Sequence, residues 1–567
     1  MPELFDALRP LPATAARYRE QGWWRDGTFL DDLRDAAERA PGRPVIISWR
    51  AAEGRAVTLT FAELADRVER YAAALHRLGV RRGEAVAFQL PDRWETAVLT
   101  LACWRVGAVT VPLSLRFGRR EVGRMLASTG AVLLVTTDRD PGPEHIAALA
   151  RLADDLPDLR HHAVLGDTAD TAATGALDFD ALPRTAHAPN APQGPGLGPD
   201  EAAAVLFTSG TTGSATAVVH SLNTLYAGVR RALPIPPLRP GQPFPVLTPL
   251  SHGAGLRNGV LRPLVHRTSA LYCDEWDAGR WLDLLGTYRA GALIAPPAML
   301  ESLAAEQSRR PRDLPAWEAV AAMAASPSRE LVDLLRRTLS GHVVNALGST
   351  ETGGILATGL TDPPERAARS VGRPMPGIEL RMATDDSRPD QASQVDVRSP
   401  STCLGTFDRD TGRLRWRAAD TDGWYATGDL MLPDGEGGLR YAGRASDRIS
   451  GTTQLMIPVL DVETELREHP AIADVALVGY PAEHGDLPCA VVVPADGRSA
   501  PEPAELRAWL AGRGMTDWYW PTRVEAVPRF PRNELGKVRK NVLRAWLTGD
   551  GPLPEADGGA GAGAEAG

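Results

Sequence analysis

The densest concentration of groups able to do chemistry is TSGTTGSATA, Thr208 to Ala217, directly after the apolar run AAAVLF. Glycine, serine and threonine leaving a buried strand can turn successive backbone N–H groups and hydroxyls towards a polyphosphate, forming an anion nest. A plain polar loop has the same composition, so the run alone leaves both readings open. It is not the P-loop of nucleoside triphosphatases, because no lysine follows the glycines and Thr216 stands where a cation would be expected. Other segments pair small residues with a titratable group: PLSHGAGL around His252, LGSTETGG from Leu347 to Gly354, YATGDL from Tyr425 to Leu430, GRASDRIS from Gly443 to Ser450, and PRNELGKVRK from Pro531 to Lys540. Each by itself reads equally well as a turn. The last holds the chain's only lysines, Lys537 and Lys540, among 62 basic residues. A bias towards arginine that spares these positions favours a role for Lys537, where a compact ammonium and a wide guanidinium fork are not interchangeable, while Lys540 reads as structural or as a surface charge.

Such groups need rigid elements behind them. From Thr60, the apolar positions Phe61, Leu64, Val68, Tyr71, Leu75 and Leu78 step by three and four, and Thr60 with Glu63 forms a capping box, which predicts an amphipathic helix. The strand AVAFQLP, a helical stretch through Trp94, Val98 and Trp104, and the strand GAVTVPLS then predict a parallel sheet with crossover helices. Short buried strands recur at AAAVLF, ALIAPP and HVVNAL, so the expected fold class is α/β, doubly wound, with mixed or parallel sheets. Residues 166–200, rich in Ala, Thr, Pro and Gly, read as a surface connection, and the closing GDGPLPEADGGAGAGAEAG lacks the apolar content to pack. No repeat of 20 to 50 residues is found.

Composition narrows the partners. With 567 residues, more than one domain is expected. A net charge of −9 gives no general grip on nucleic acid or an anionic membrane, and no uninterrupted apolar run is long enough for a membrane span. Cys103, Cys273, Cys403 and Cys489 stand singly, which argues against disulfide or structural-metal frameworks and, with no leader-like amino terminus, for a cytoplasmic protein.

In order and separation these segments resemble the adenylate-forming superfamily of acyl- and aryl-CoA synthetases, peptide-synthetase adenylation domains and luciferase; the opening RYREQGWW looks most like the aryl-acid-activating branch. The resemblance implies a large amino-terminal AMP-binding domain (1–443), a small mobile α+β carboxyl-terminal lid (444–548) and a disordered tail (549–567). It implies ATP and Mg²⁺ as cofactors, with formation of an acyl-AMP from a small-molecule acid and release of pyrophosphate. Transfer to an acceptor follows, either the CoA thiol or an amine. Carried over by position, Thr208, Ser209, Gly210, Thr211, Thr212 and Gly213 would wrap the phosphates together with Gly348 and Ser349. Thr350 and Glu351 would hold Mg²⁺, Asp429 the ribose diol, and Arg444 the ribose and phosphate. Asp447 matches the hinge acid, Lys537 the lysine that bridges carboxylate and α-phosphate, and His252 a gate beside the acyl pocket. Pocket walls would come from residues 322–328 and from Asn345, Ala346 and Leu347. A monomer or homodimer is implied.

Two departures bear on mechanism. Ala215, Thr216 and Ala217 replace the Pro-Lys-Gly that usually closes the glycine-rich loop, and Thr452 and Thr453 stand where glycines usually let the lid approach pantetheine. Adenylation of a carboxylic acid, aryl or small, is therefore the leading expectation. Adenylation of nitrite for diazotisation or N-nitrosation of an aryl amine in a natural-product pathway is the alternative. A non-catalytic nucleotide-binding scaffold is disfavoured by the presence of both Lys537 and Glu351.

Overall fold

The computed structural model describes residues 2–549 except 139–148, 150–151, 153–154, 167–174, 186–193, 209–215, 232–234, 236, 239–240, 324–325, 328, 383–392, 409–410, 445–448, 451–455, 458, 483–484, 532–537 and 539. They form two compact units, one ending at 445 and the other beginning at 446. Ser209 to Gly213, Asp447, Thr452, Thr453, Lys537 and most of the tail lie outside the described residues.

In the first unit the expected strand–helix–strand pattern builds a nine-stranded sheet. Ala202–Thr208, Val109–Pro112, Ala85–Phe88, Ala131–Thr137, His161–Leu165 and Leu177–Asp178 lie parallel in that spatial order. Beyond Ala202–Thr208 the direction reverses, with Thr216–Ser221 antiparallel to it and Gly405–Asp408 antiparallel to that strand in turn. Between parallel neighbours runs helix Trp94–Val106, buried from Trp94 to Trp104 on every side, with Trp104 donating its indole N–H to the Ala203 carbonyl at 2.8 Å. Helix Phe61–Arg77 starts as predicted: Thr60 N–H donates to Glu63 at 2.8 Å, and Glu63 N–H donates to the Thr60 hydroxyl at 3.3 Å. A second sheet orders Ile294–Ala295, Val320–Met323, Val343–Ser349, Gly353–Ala357 and Arg373–Pro374, parallel over the first three and antiparallel after.

One stretch departs from expectation. Residues 166–200 are not wholly a surface connection, because Leu177–Asp178 pairs in parallel with Ala163 and Val164, and Phe179 is buried against Tyr71 with ring centroids 4.8 Å apart. A two-residue strand is too short to show periodicity, so only the apolar content of Leu177 and Phe179 signalled it.

The second unit folds around its own core of Ala476, Val478, Cys489, Val491, Val527, Phe530 and Leu543. Strands Ile472–Ala482 and Gly485–Pro494 form a long antiparallel hairpin, Arg523–Ala526 joins it in parallel, and helices Val459–Arg467, Pro503–Gly512 and Lys540–Leu547 accompany them. Here Lys540 is structural: its ammonium lies 2.7 Å from Glu463, which also accepts the Leu477 N–H at 2.7 Å. All four cysteines are buried free thiols. Burial pushes Cys273 up to about 11 and Cys489 up to about 12, and raises the Cys103 and Cys403 thiols as well.

Candidate active site

LGSTETGG is a tight antiparallel hairpin between Val343–Ser349 and Gly353–Ala357. Glycine is required at position 348, where a Cβ would lie 2.3 Å from the Gly353 carbonyl oxygen. The tip is held from three directions. His220 donates Nε2–H to the Thr350 carbonyl at 2.8 Å, Cys403 N–H donates to the Glu351 carbonyl at 2.7 Å, and the Ser401 hydroxyl donates to the Thr352 carbonyl at 2.7 Å. Because a carbonyl only accepts, the first bond fixes the His220 tautomer, with Nδ1 facing the Thr224 hydroxyl at 3.0 Å. Burial, aided by the nearby Arg257 charge, lowers the His220 pKa to about 3, so the ring stays neutral. Beneath the hairpin, buried Arg231 donates to the carbonyls of Gly354 and Pro376 at 2.8 and 2.9 Å and to the Ser401 hydroxyl at 3.1 Å. Sequence reasoning missed both His220 and Arg231. The signal for the first was a histidine ending an apolar strand immediately before the helix cap Ser221.

Thr350 and Glu351 are thereby presented by their backbone while their side chains stay uncommitted. Thr350 is 8% and Glu351 6% exposed, and among the described residues neither the Thr350 hydroxyl nor the Glu351 carboxylate has a hydrogen bond or ion pair. Side-chain oxygens of largely buried residues left so are available to a ligand. Thr208, at the end of its strand opposite Thr216, has a buried hydroxyl without a partner among the described residues. Thr216 itself is 8% exposed and lies in register with Asp408 on its other side, as a strand residue. Asp429 is 5% exposed, its N–H donates to the Thr427 hydroxyl at 3.1 Å, and its backbone pairs with Arg444 across Tyr425–Pro433 and Leu439–Arg444.

His252 caps the helical run that follows PLS, its Nδ1 accepting the Ala254 N–H at 3.3 Å. Gly255 is needed there because a Cβ would meet the Pro249 carbonyl oxygen at 2.0 Å. The imidazole pKa falls to about 4 through burial and the Arg257 charge, with Glu351 opposing, so this ring too is neutral near pH 7. Asn345 corrects an expectation. Its amide donates to the carbonyls of Ala367 and Ser370 at 3.0 and 2.9 Å and contacts the Ser326 hydroxyl at 3.2 Å, and at 1% exposure it braces the sheet instead of lining a pocket.

Behind the His252 segment, Asp92 accepts the Leu250 N–H at 2.7 Å. Burial, with a smaller contribution from Asp274, raises its pKa to about 7. A raised carboxyl pKa means the folded state binds a proton the unfolded chain has released. Stability is therefore full at low pH, falls as pH climbs from about 4 to about 7, and is flat above. Asp92→Asn keeps the acceptor without the charge, so it should be more stable than wild type at pH 8 by a few kcal/mol, roughly 1.4 per pK unit, and indistinguishable at pH 4. Denaturation midpoints at both pH values test this, and an advantage that does not grow with pH would refute it.

With this geometry in view, residues 33–405 match the AMP-binding enzyme family and residues 461–537 match the C-terminal domain of AMP-binding enzymes. The chain belongs to the AMP-binding enzyme family. Salicyl-AMP ligase / salicyl-S-ArCP synthetase of Mycobacterium tuberculosis is 29% identical over 553 residues, 96% of this chain and 95% of that protein. Indoleacetate–CoA ligase of Aromatoleum aromaticum is 30% identical over 86% of this chain and 92% of its own length. Among solved structures, amide bond synthetase McbA from Marinactinospora thermotolerans superposes with a TM-score of 0.75 at 27% identity, covering 92% of this chain and 100% of that one.

As an AMP-binding enzyme the chain is an ATP-dependent, AMP-forming ligase of the acyl-CoA synthetase type, and it uses ATP with Mg²⁺. The donor set fits. Mg²⁺ takes hard oxygen ligands and is commonly held by one or two protein oxygens with phosphates and water supplying the rest. Thr350 and Glu351 are two such oxygens, and among the described residues no cluster of three metal-ligating side chains competes with them.

Proposed function

We propose that this enzyme activates an aryl or small carboxylic acid as its acyl-AMP and passes the acyl group to an amine, with CoA as the competing acceptor. The observation carrying the reading is the Thr350–Glu351 tip, two largely buried residues whose backbone is fixed by three hydrogen bonds and whose hydroxyl and carboxylate have no partner among the described residues. Mg²⁺ bound there would neutralise phosphate charge. The carboxylate oxygen attacks the α-phosphorus, the bond to the β-phosphate oxygen breaks, and pyrophosphate leaves. An amine nitrogen then attacks the acyl carbon, AMP departs, and the nitrogen loses a proton. In this scheme Ser209 to Gly213 enclose the phosphates, with Thr208, Gly348 and Ser349 behind them. Asp429 takes the ribose hydroxyls, with Arg444 beside it. Lys537 compensates charge between acid and phosphate, and His252 borders the acid. The division into a body (1–443) and a lid (444–548) hinged at Asp447, the tail from 549, and a monomeric or homodimeric state belong to the same proposal.

The amine preference rests on Thr452 and Thr453 and on the chain-long likeness to an amide bond synthetase. The test is product analysis by mass after incubation with ATP, Mg²⁺, an acid panel and either CoA or an aryl amine. Amide formation that outpaces thioester formation is expected, with fatty acids plus CoA turning over poorly. Rapid, saturable thioester formation from a simple acid would overturn the amine assignment. A diazo or N-nitroso product from nitrite would replace the carboxylic acid with nitrite.

Asp429→Asn supplies a narrower check. Losing one charge-assisted contact to the ribose is expected to raise the KM for ATP about 10-fold to 100-fold while kcat changes little. An unchanged KM in steady-state pyrophosphate release would remove Asp429 from the nucleotide site.

A further inference from the structure

We infer that Arg257 is a specificity residue of the acid pocket that binds a planar oxyanion, either a second carboxylate on the acid or nitrite. This deepens the proposed function and rests on it. The buried arginines elsewhere in the first unit each have acceptors among the described residues. Arg366 meets Asp434 at 2.6 Å and Asp362 at 3.1 Å, Arg93 meets Asp274 at 2.6 Å, Arg231 donates to carbonyls and hydroxyls, and Arg262 donates to the Asn258 side-chain oxygen at 3.0 Å. Arg257 differs from these four. Among the described residues its buried Nη1 has no hydrogen-bond partner and its guanidinium has no ion pair. A guanidinium nitrogen buried without an acceptor is costly, so an anion that completes it is the economical account.

Its position points to the substrate. Arg257 lies in a π-helical turn, Leu256–Leu261, inserted between the short helix begun by His252 and the helix Arg262–His266. Such bulges frequently occur at functional sites. A Cβ placed on Gly253 would stand 3.5 and 3.6 Å from Nη2 and Nη1, so the residue following His252 leaves the approach to the guanidinium unfilled. The Arg257 charge also acts on both His220, which holds the Thr350 carbonyl, and His252. Neither neutral imidazole neutralises it. Two parallel N–H donors match the two oxygens of a carboxylate or of nitrite, whereas a neutral aryl or alkyl tail would leave the charge stranded.

The experiment uses the full-length enzyme and two readouts. The first is pyrophosphate release with ATP and Mg²⁺ for matched acids, benzoate against isophthalate and butyrate against succinate, with sodium nitrite as a separate arm. The second is the thermal shift that succinate, isophthalate or nitrite produces without ATP, which does not depend on turnover. Wild type is expected to prefer one diacid over its matched monoacid, or to turn over nitrite, and to be stabilised by that anion. In Arg257→Met the diacid-to-monoacid ratio of kcat/KM, or the nitrite rate, should fall about 100-fold and the thermal shift should vanish, with partial recovery in Arg257→Lys. The arm that responds identifies the source of the oxyanion. Equal losses for both members of each pair, or a thermal shift unchanged in Arg257→Met, would overturn the inference. So would a wild type that none of these anions stabilises. Pyrophosphate release absent with every acid while the Arg257-dependent shift persists would instead refute the adenylation scheme.

Discussion

Lys537→Ala is expected to cut pyrophosphate release from ATP and the preferred acid by roughly 10²–10³-fold, while transfer from supplied acyl-AMP to the acceptor falls far less. Removing a cation aimed at developing charge costs most in the step where that charge develops, and in adenylation it builds on the departing pyrophosphate and the bridging oxygens. The second half-reaction expels AMP from an already formed mixed anhydride and does not need the same contact. Arginine at 537 should rescue poorly, because its fork cannot occupy the place of a point charge. Single-turnover assays of the two half-reactions separate these effects. Adenylation surviving within a few-fold would remove Lys537 from the chemistry.

A comparable loss is expected from Glu351→Gln, and it carries a second signature. The amide keeps the shape of the side chain but removes the negative charge proposed to face Mg²⁺. Catalysis at saturating ATP should therefore drop about 10²-fold, and the Mg²⁺ concentration giving half-maximal rate should rise. Glu351 is buried with no ion pair among the described residues, so neutralising it should hold or raise the melting temperature of the ligand-free enzyme. A loss of activity accompanied by a lower melting temperature and an unchanged Mg²⁺ requirement would mean the carboxylate is structural.

What the sequence made legible follows the range of the interactions involved. Helix Phe61–Arg77 was readable because its cap and its apolar face lie within a few turns of one another. The strand leading to Gly348 was readable from its buried run HVVNAL, whereas the hairpin itself, where only glycine tolerates the approach of Gly353, was not. His220 and Arg231 were not, since the carbonyls they hold, on Thr350 and Gly354, lie 130 and 123 residues away in sequence. Asn345 was misread for the same reason: it resembled a pocket residue by position, and only its partners Ala367 and Ser370 show that its donors are taken. Arg257 did leave a trace, a single cation inside the glycine-spaced run HGAGLRNGVL, but the absence of any partner is visible only once the chain is folded.

The buried cysteines have a further consequence once an acyl-AMP is the product. A mixed anhydride is a strong acylating agent, and the enzyme that makes it is the nearest target. Thiols attack as thiolates, and burial raises the pKa of all four cysteines, leaving almost no thiolate near neutral pH. Amines are nearly as scarce: guanidinium stays protonated and is a poor nucleophile, and of the two lysines Lys540 is engaged with Glu463. Whatever produced the arginine-rich composition, its chemical effect is a chain with few side-chain amines for its own intermediate to acylate.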